Sequence, residues 1–212
     1  VTEVPDGIDP GWAYNPGKSG YRALKAAEKL IDASPDLAAT FNDAPDWLAK
    51  PVGEEFSKWF DEASAGNRVD QTIVVAGTMS REVLTTLRSR DIEPASGAIT
   101  ISQRAVRHII RDQKAARRQN VPTDLLRQIP ALLSKPKAVL RDTRDNSLLY
   151  VFDLPDDIRQ GKLVVRLDYQ EKARPSGSKP QKIKSNSIRT AGAVELRALT
   201  DQNAYELLMG EL

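Results

Sequence analysis

Residues 148–169 read LLYVFDLPDDIRQGKLVVRLDY, and their pattern decides the fold class. Two β-rich runs, Leu148–Leu154 and Lys162–Tyr169, flank a polar connection in which Gln160-Gly161 predicts a hairpin turn. Upstream, Lys137–Arg141 forms another strand and Asp145-Asn146 marks the turn between. Downstream, Asn186–Ala191 is a fourth strand, and a fifth is expected at Val194–Leu199. Consecutive hairpins imply an antiparallel sheet. In KLVVRLDY, Leu163, Val165, Leu167 and Tyr169 share one face, and Lys162, Val164, Arg166 and Asp168 share the other. In NSIRTA, Asn186, Ile188 and Thr190 share a face opposite Ser187 and Arg189, and alternation does not say which is buried. A sheet with one core face and one face of Arg, Lys, Ser and Thr can hold a nucleic-acid strand.

Working outward from the sheet, Gln71–Ala76 and Ala98–Ile101 are short β-branched strands. Ser80 caps a helix over 81–90, Ser102 a long one to about 119, and Thr123 a shorter one ending before Pro136. Residues 20–33 and 45–65 are amphipathic helices, the second presenting Trp47, Leu48, Phe56, Trp59 and Phe60. Residues 1–19, rich in Pro, Gly, Asp and Asn, form a linker. The segment 172–185, KARPSGSKPQKIKS, is expected to be a mobile basic loop, and Thr200 to cap a last helix over 201–209. The expected class is α+β: N-terminal helices packed on a four- to five-stranded antiparallel sheet. The expected divisions are a linker over 1–19, an acidic helical extension over 20–68 and a main domain over 69–212.

The charge is divided. Residues 1–96 carry 10 basic and 16 acidic side chains, and residues 97–200 carry 21 and 10, net values of −6 and +11. With no cysteine there is no disulfide framework, Cys-ligated zinc or thiol nucleophile, and one histidine excludes a His-rich metal site. No run is apolar enough for a membrane helix, and VTEVPDGIDP has no signal-peptide pattern. Lacking an initiator Met, the chain is expected to be a fragment or a processed product. Gly11–Ser19 imitates a phosphate loop, but five residues separate Gly11 from Gly17 where four are required, and no strand precedes them.

The single histidine, His108, lies on the Ser102 helix. Projection places Val106, Ile109, Ile110, Gln113 and Ala116 on the buried stripe. His108 falls opposite, beside Arg104 and Arg111, with Arg107 and Arg118 near. Neighbouring guanidinium groups disfavour its charged form. An imidazole among fixed cations suits a phosphodiester, the cations holding phosphate and the imidazole moving a proton. The competing reading is a solvated basic helix face with an incidental histidine.

GWAYNPG, within Pro10–Gly17, resembles the closing motif of the head-morphogenesis domain in phage Mu F-like minor head proteins. The ordered set IVVAGTMSREVLTTL, ITISQRAVRHII, LRQIPALLSKPKAVL, LLYVFDL, KLVVRLDY and NSIRTA resembles phage-associated nucleases of the barnase, EndoU, colicin and RelE-like superfamily. That resemblance implies a metal-independent RNA-cleaving toxin domain without cofactor, fused to a head protein. It implies a virion-associated or delivered product acting in a target bacterial cytoplasm, with an acidic cognate immunity protein as partner. It implies catalytic roles for His108 on the helix and Thr190 in the final strand. Beside these, Arg166 and Ser187 are candidates for charge stabilisation and phosphate bonding. Arg104, Arg111, Lys162, Arg189, Lys182 and Lys184 are candidates for gripping RNA, tRNA among the possible substrates. Cleavage would run through attack of the ribose 2′-oxygen to a 2′,3′-cyclic phosphate. Family members often carry a second histidine soon after the first. Here that position reads Ile110-Arg111-Asp112, so the second proton-transfer group is open, with Asp168 and Glu195 the nearest carboxylates by segment. The missing histidine keeps two alternatives in view: a catalytically inactive head-protein extension and a nucleic-acid-binding module. An ADP-ribosyltransferase lacks the glycine or paired-glutamate motif it would need.

Overall fold

A computed structural model describes residues 48–111, 120–155, 158–173 and 179–212. The linker expected over 1–19, the helix expected over 20–33 and residues 112–119 of the helix expected from Ser102 fall outside the described residues. In chain order the elements are α1 (Glu54–Ser64), β1 (Ile73–Thr78), α2 (Arg81–Arg88), β2 (Ala98–Ser102), α3 (Gln103–Ile109), α4 (Thr123–Leu126) and α5 (Ile129–Ser134). There follow β3 (Ala138–Asp142), β4 (Ser147–Asp153), β5 (Gln160–Ala173), β6 (Gln181–Val194), α6 (Leu196–Leu199) and β7 (Tyr205–Gly210).

The class is α+β, but the sheet is larger than expected and mixed. Seven strands run in the order β1-β2-β6-β5-β4-β3-β7. Every pair is antiparallel except β2 and β6, which are parallel through Ile99–Ile101 and Asn186–Ile188. Three expectations are overturned by pairing. The helix expected over 201–209 is β7, because YELLMG finds an open edge on β3 and that ladder outweighs local propensity. The strand expected over 194–199 is absent: β6 runs to Val194 and Leu196–Leu199 is helical. The described residues of the expected loop 172–185 are mostly ladder, since β5 and β6 pair as far as Ala173 and Gln181.

Local signals at helix starts hold where a hydroxyl meets a free amide. Ser80 Oγ accepts from Val83 N at 3.2 Å, and Ser102 Oγ from Ala105 N at 3.3 Å. The helix over 45–65 is shorter than expected, starting only after Pro51 and Gly53, the latter at φ +54°. In the described residues the helix capped by Ser102 spans Gln103–Ile109, and the expected continuation over 112–119 lies outside them. The 123–134 segment divides into α4 and α5.

One face of the sheet carries the main core. Val74, Ile99, Ile101, Leu148, Tyr150, Leu163, Val165 and Ile188 meet Val83 and Leu87 of α2, Val106 and Ile109 of α3, and Ile129 and Leu133 of α5. Phe56 and Phe60 of α1 belong to this same core, both fully buried. The packing therefore passes through residue 68 without a break, and α1 contributes Phe56, Phe60 and Ala63 to the main core. The two edge strands are both covered. Val75 N donates to Ala49 O at 2.8 Å beside β1. At β7, Ser80 Oγ contacts Met209 Sδ at 3.4 Å and Arg90 pairs with Glu206.

The other face carries two smaller apolar clusters. One holds Leu48, Ile73, Val75, Ala98, Ala173 and Ile183, and the other Ala138, Leu140, Leu149, Val151 and Leu199. Polar side chains of β5 and β6 lie between them on this outer face.

Candidate functional site

Two irregularities in the β5–β6 ladder assemble the site. Val164 pairs with Thr190 but Val165 pairs with Ile188, so β6 carries one extra residue, Arg189. Simple alternation puts Ser187 and Thr190 on opposite faces; the bulge brings both to the outer face. The second shift, between Arg166 and Tyr169, gives β5 an extra residue, and Asp168 there takes a left-handed φ of +49°. Tyr169, expected to join Leu163, Val165 and Leu167 in the core, therefore turns to the outer face with Glu171. Asp168 is tied down: its carboxylate accepts from Ala95 N at 2.9 Å and lies 3.6 Å from Lys184 Nζ. Asn186, fully buried, accepts from Asp168 N at 3.2 Å and donates to Ser96 O and Ala98 O, locking the hairpin to the start of β2.

Glu171 is the residue the sequence reading passed over. Ser187 Oγ donates to its Oε1 at 2.7 Å, and Arg189 Nη1 lies 3.8 Å from Oε2. Its side chain is only 12% exposed, so the carboxylate is both partnered and largely withdrawn from water. Arg189 also stacks over the Tyr169 ring, with 4.1 Å to the centroid. Ser187 is fully buried and spends its hydroxyl on Glu171, so it orients the carboxylate rather than meeting a ligand. The signal for Glu171 was present in the chain: Tyr169, Glu171 and Ala173 continue the period-two pattern of KLVVRLDY, but the Lys, Pro and Ser beyond them read as loop. The two carboxylates considered instead are committed elsewhere, Asp168 as above and Glu195 to Arg197 at 2.5 Å.

A polar row crosses the outer face. Register places Asp142, Ser147, Arg166, Ser187 and Thr100 side by side on five successive strands. Arg166 is exposed at its centre, and Ser147, Ser187 and Thr100 are buried. Two rows away, Lys162 is half-buried. Burial pushes its ammonium pKa down, Asp142 offsets that in part, and Arg144 reinforces it. Asp142 is itself held below the usual carboxylate range by Arg144, which donates to both its oxygens.

His108 and Arg104 are exposed on α3, as the projection expected, with Val106 and Ile109 buried on its core side and Ile110 half-buried at its end. Gln113 and Ala116 lie outside the described residues. The helix packs against α1 and β6. Gln103 Nε2 donates to Asn67 O and Arg107 Nε to Ala63 O, which fixes the α1 flank of the helix. Arg104 and His108 occupy the opposite flank. Arg111 is exposed just past the helix end. Lys182 and Lys184 are exposed but alternate onto the other side of β6 from Ser185 and Ser187. The structure thus gathers Arg166, Ser187, Arg189 and Thr190 on the outer face, packs the His108 helix against the opposite, core face of β6, and turns Lys182 and Lys184 away from the outer face. Among the described residues no group of His, Asp and Glu is arranged to hold a metal ion, and no helix is long and apolar enough to cross a membrane.

No protein-family model, curated protein or solved structure matches this chain.

Proposed function

We propose that the chain is a metal-independent endoribonuclease of toxin type, with the barnase-like arrangement its sequence resembles and the outer face of β5–β6 as its active surface. The observation that carries this reading is the carboxylate of Glu171. It is oriented by Ser187 and Arg189 on the outer face of the β5–β6 ladder, the face that also carries Arg166 and Thr190. A carboxylate held among cations and hydroxyls suits proton transfer at a phosphodiester. Glu171 takes the proton of the ribose 2′-hydroxyl, whose oxygen forms the new bond to phosphorus. The bond from phosphorus to the 5′-oxygen breaks, and that oxygen takes the proton held by Glu171; His108, on the helix packed against the other face of the sheet, stands outside this step. Arg166 and Arg189 balance the charge on the phosphorane, and Thr190 bonds one of its oxygens. The products are a 2′,3′-cyclic phosphate and a 5′-hydroxyl. The biological setting proposed is a phage head-protein fusion, acting on RNA in a bacterial cytoplasm and restrained by an acidic immunity protein.

The test is incubation of the chain with tRNA and total RNA in EDTA, beside His108→Ala and Glu171→Gln. The expected result is cleavage by the wild type that leaves cyclic-phosphate ends. Glu171→Gln is expected to lose about 10²–10⁴-fold in rate, the range general acid–base groups contribute, and His108→Ala, across the sheet, to cleave like the wild type. Binding without cleavage would turn the reading to a nucleic-acid-binding module, and neither binding nor cleavage to a structural extension.

A further inference from the structure

Resting on that reading, we infer that the outer face of β5 is a track for single-stranded RNA, with Arg166 at the reacting phosphate and Lys162 at a phosphate further along the same strand. Several basic side chains on and beside the described sheet are committed to carboxylates. Arg141 pairs with Glu206, Arg144 with Asp142, Lys137 with Asp153, Lys184 with Asp168 and Arg189 with Glu171. Lys162 and Arg166 make no hydrogen bond or ion pair with any described residue. Lys162 is the more telling of the two. A half-buried ammonium is costly unless an anion accompanies it, and its nearest acid, Asp142, already takes both side-chain and backbone bonds from Arg144. Among the described residues only Asp142, already bonded to Arg144, offsets this charge, and the position suits a cation that receives an outside anion.

Geometry selects the kind of polyanion. Lys162 and Arg166 are four residues apart on one strand and one face, a separation of about 13 Å along β5. Both cations therefore lie on a single line, which follows one backbone; a duplex presents two. Further along that line, the Tyr169–Arg189 stack is partly open, the Arg189 side chain being 33% exposed. Aromatic and guanidinium planes receive unstacked bases, which only a single strand offers freely.

The test uses the whole chain and fluorescence anisotropy with a 2′-O-methyl RNA octamer, which cannot be cleaved, as a single strand and as a duplex. Tighter binding of the single strand is expected. Lys162→Ala/Arg166→Ala should weaken it at least tenfold at low salt and flatten its log–log salt dependence by about 1.4, the loss of two phosphate contacts. Lys162→Met/Arg166→Met, which keeps the apolar stems, should do the same and guards against loss of folding. Arg88→Ala, remote on α2, should change nothing. Equal affinity for duplex, or unchanged binding by both double variants, overturns the track. If the octamer binds as expected but the matching all-RNA strand is never cut, the track stands and the nuclease reading falls. If RNA is cut while the double variants bind normally, the track falls and the nuclease reading stands.

Discussion

Lys162 shows how one residue's burial and charge oppose each other. Its folded pKa is lowered chiefly by burial, while in the unfolded chain it is an ordinary lysine. The folded state therefore binds its proton less well, and the charged side chain costs stability at every pH below the folded pKa. That cost is relieved as pH rises through the folded pKa toward the unfolded one. Lys162→Met should raise Tm at pH 7, and the gain should shrink as the buffer is made alkaline. A gain that grew with pH would contradict this reading. Glu171 and His108 had different fates at this scale. The exposed imidazole was legible, because a helix projection needs only spacing. The carboxylate was not, because its value depends on a serine sixteen residues away, brought close by the hairpin.

The β5–β6 hairpin shows what alternation predicts and where it stops. Leu163 and Val165 take the core face as their pattern requires, and Ile188, whose face alternation left open, joins them, but two bulges reset the count beyond them. The Gln160-Gly161 turn also moved: both residues lie inside β5, and Gly161 pairs with Phe152. A glycine is needed there because a Cβ would stand 2.2 Å from the Phe152 ring. Gly161→Ala should therefore destabilise the protein by about 1–3 kcal/mol, the usual cost of overpacking, and Phe152→Leu in the same chain should recover part of it. Urea midpoints of the single and double variants decide this. The pairs of hydrophobic runs at 148–154 and 162–169 were legible as strands because a hairpin is local. The β7 edge was not, since its partner β3 lies more than sixty residues earlier.

At the scale of the molecule, the acidic N-terminal part and the basic remainder meet in one core. Arg127 bonds Asp61, and Ser57 Oγ donates to Arg127 O, tying α1 to the segment around α4. Phe56→Ala should cost about 3–5 kcal/mol, as for a fully buried aromatic side chain. It should lower one shared unfolding transition seen by both tryptophan fluorescence and far-ultraviolet circular dichroism. Separate transitions would mean that α1 is a unit of its own. Composition and periodicity by themselves determined the α+β class, the capped starts of α2 and α3, the central strands and the solvent-facing histidine, because each depends on neighbours within a few residues. Only tertiary structure decided the seven-strand order, the parallel β2–β6 contact, the strand at the C-terminal end and the meeting of Glu171 with Ser187 and Arg189. Those rest on long-range pairing and on bulges, and a bulge of one residue exchanges the two faces of a strand without altering its local pattern.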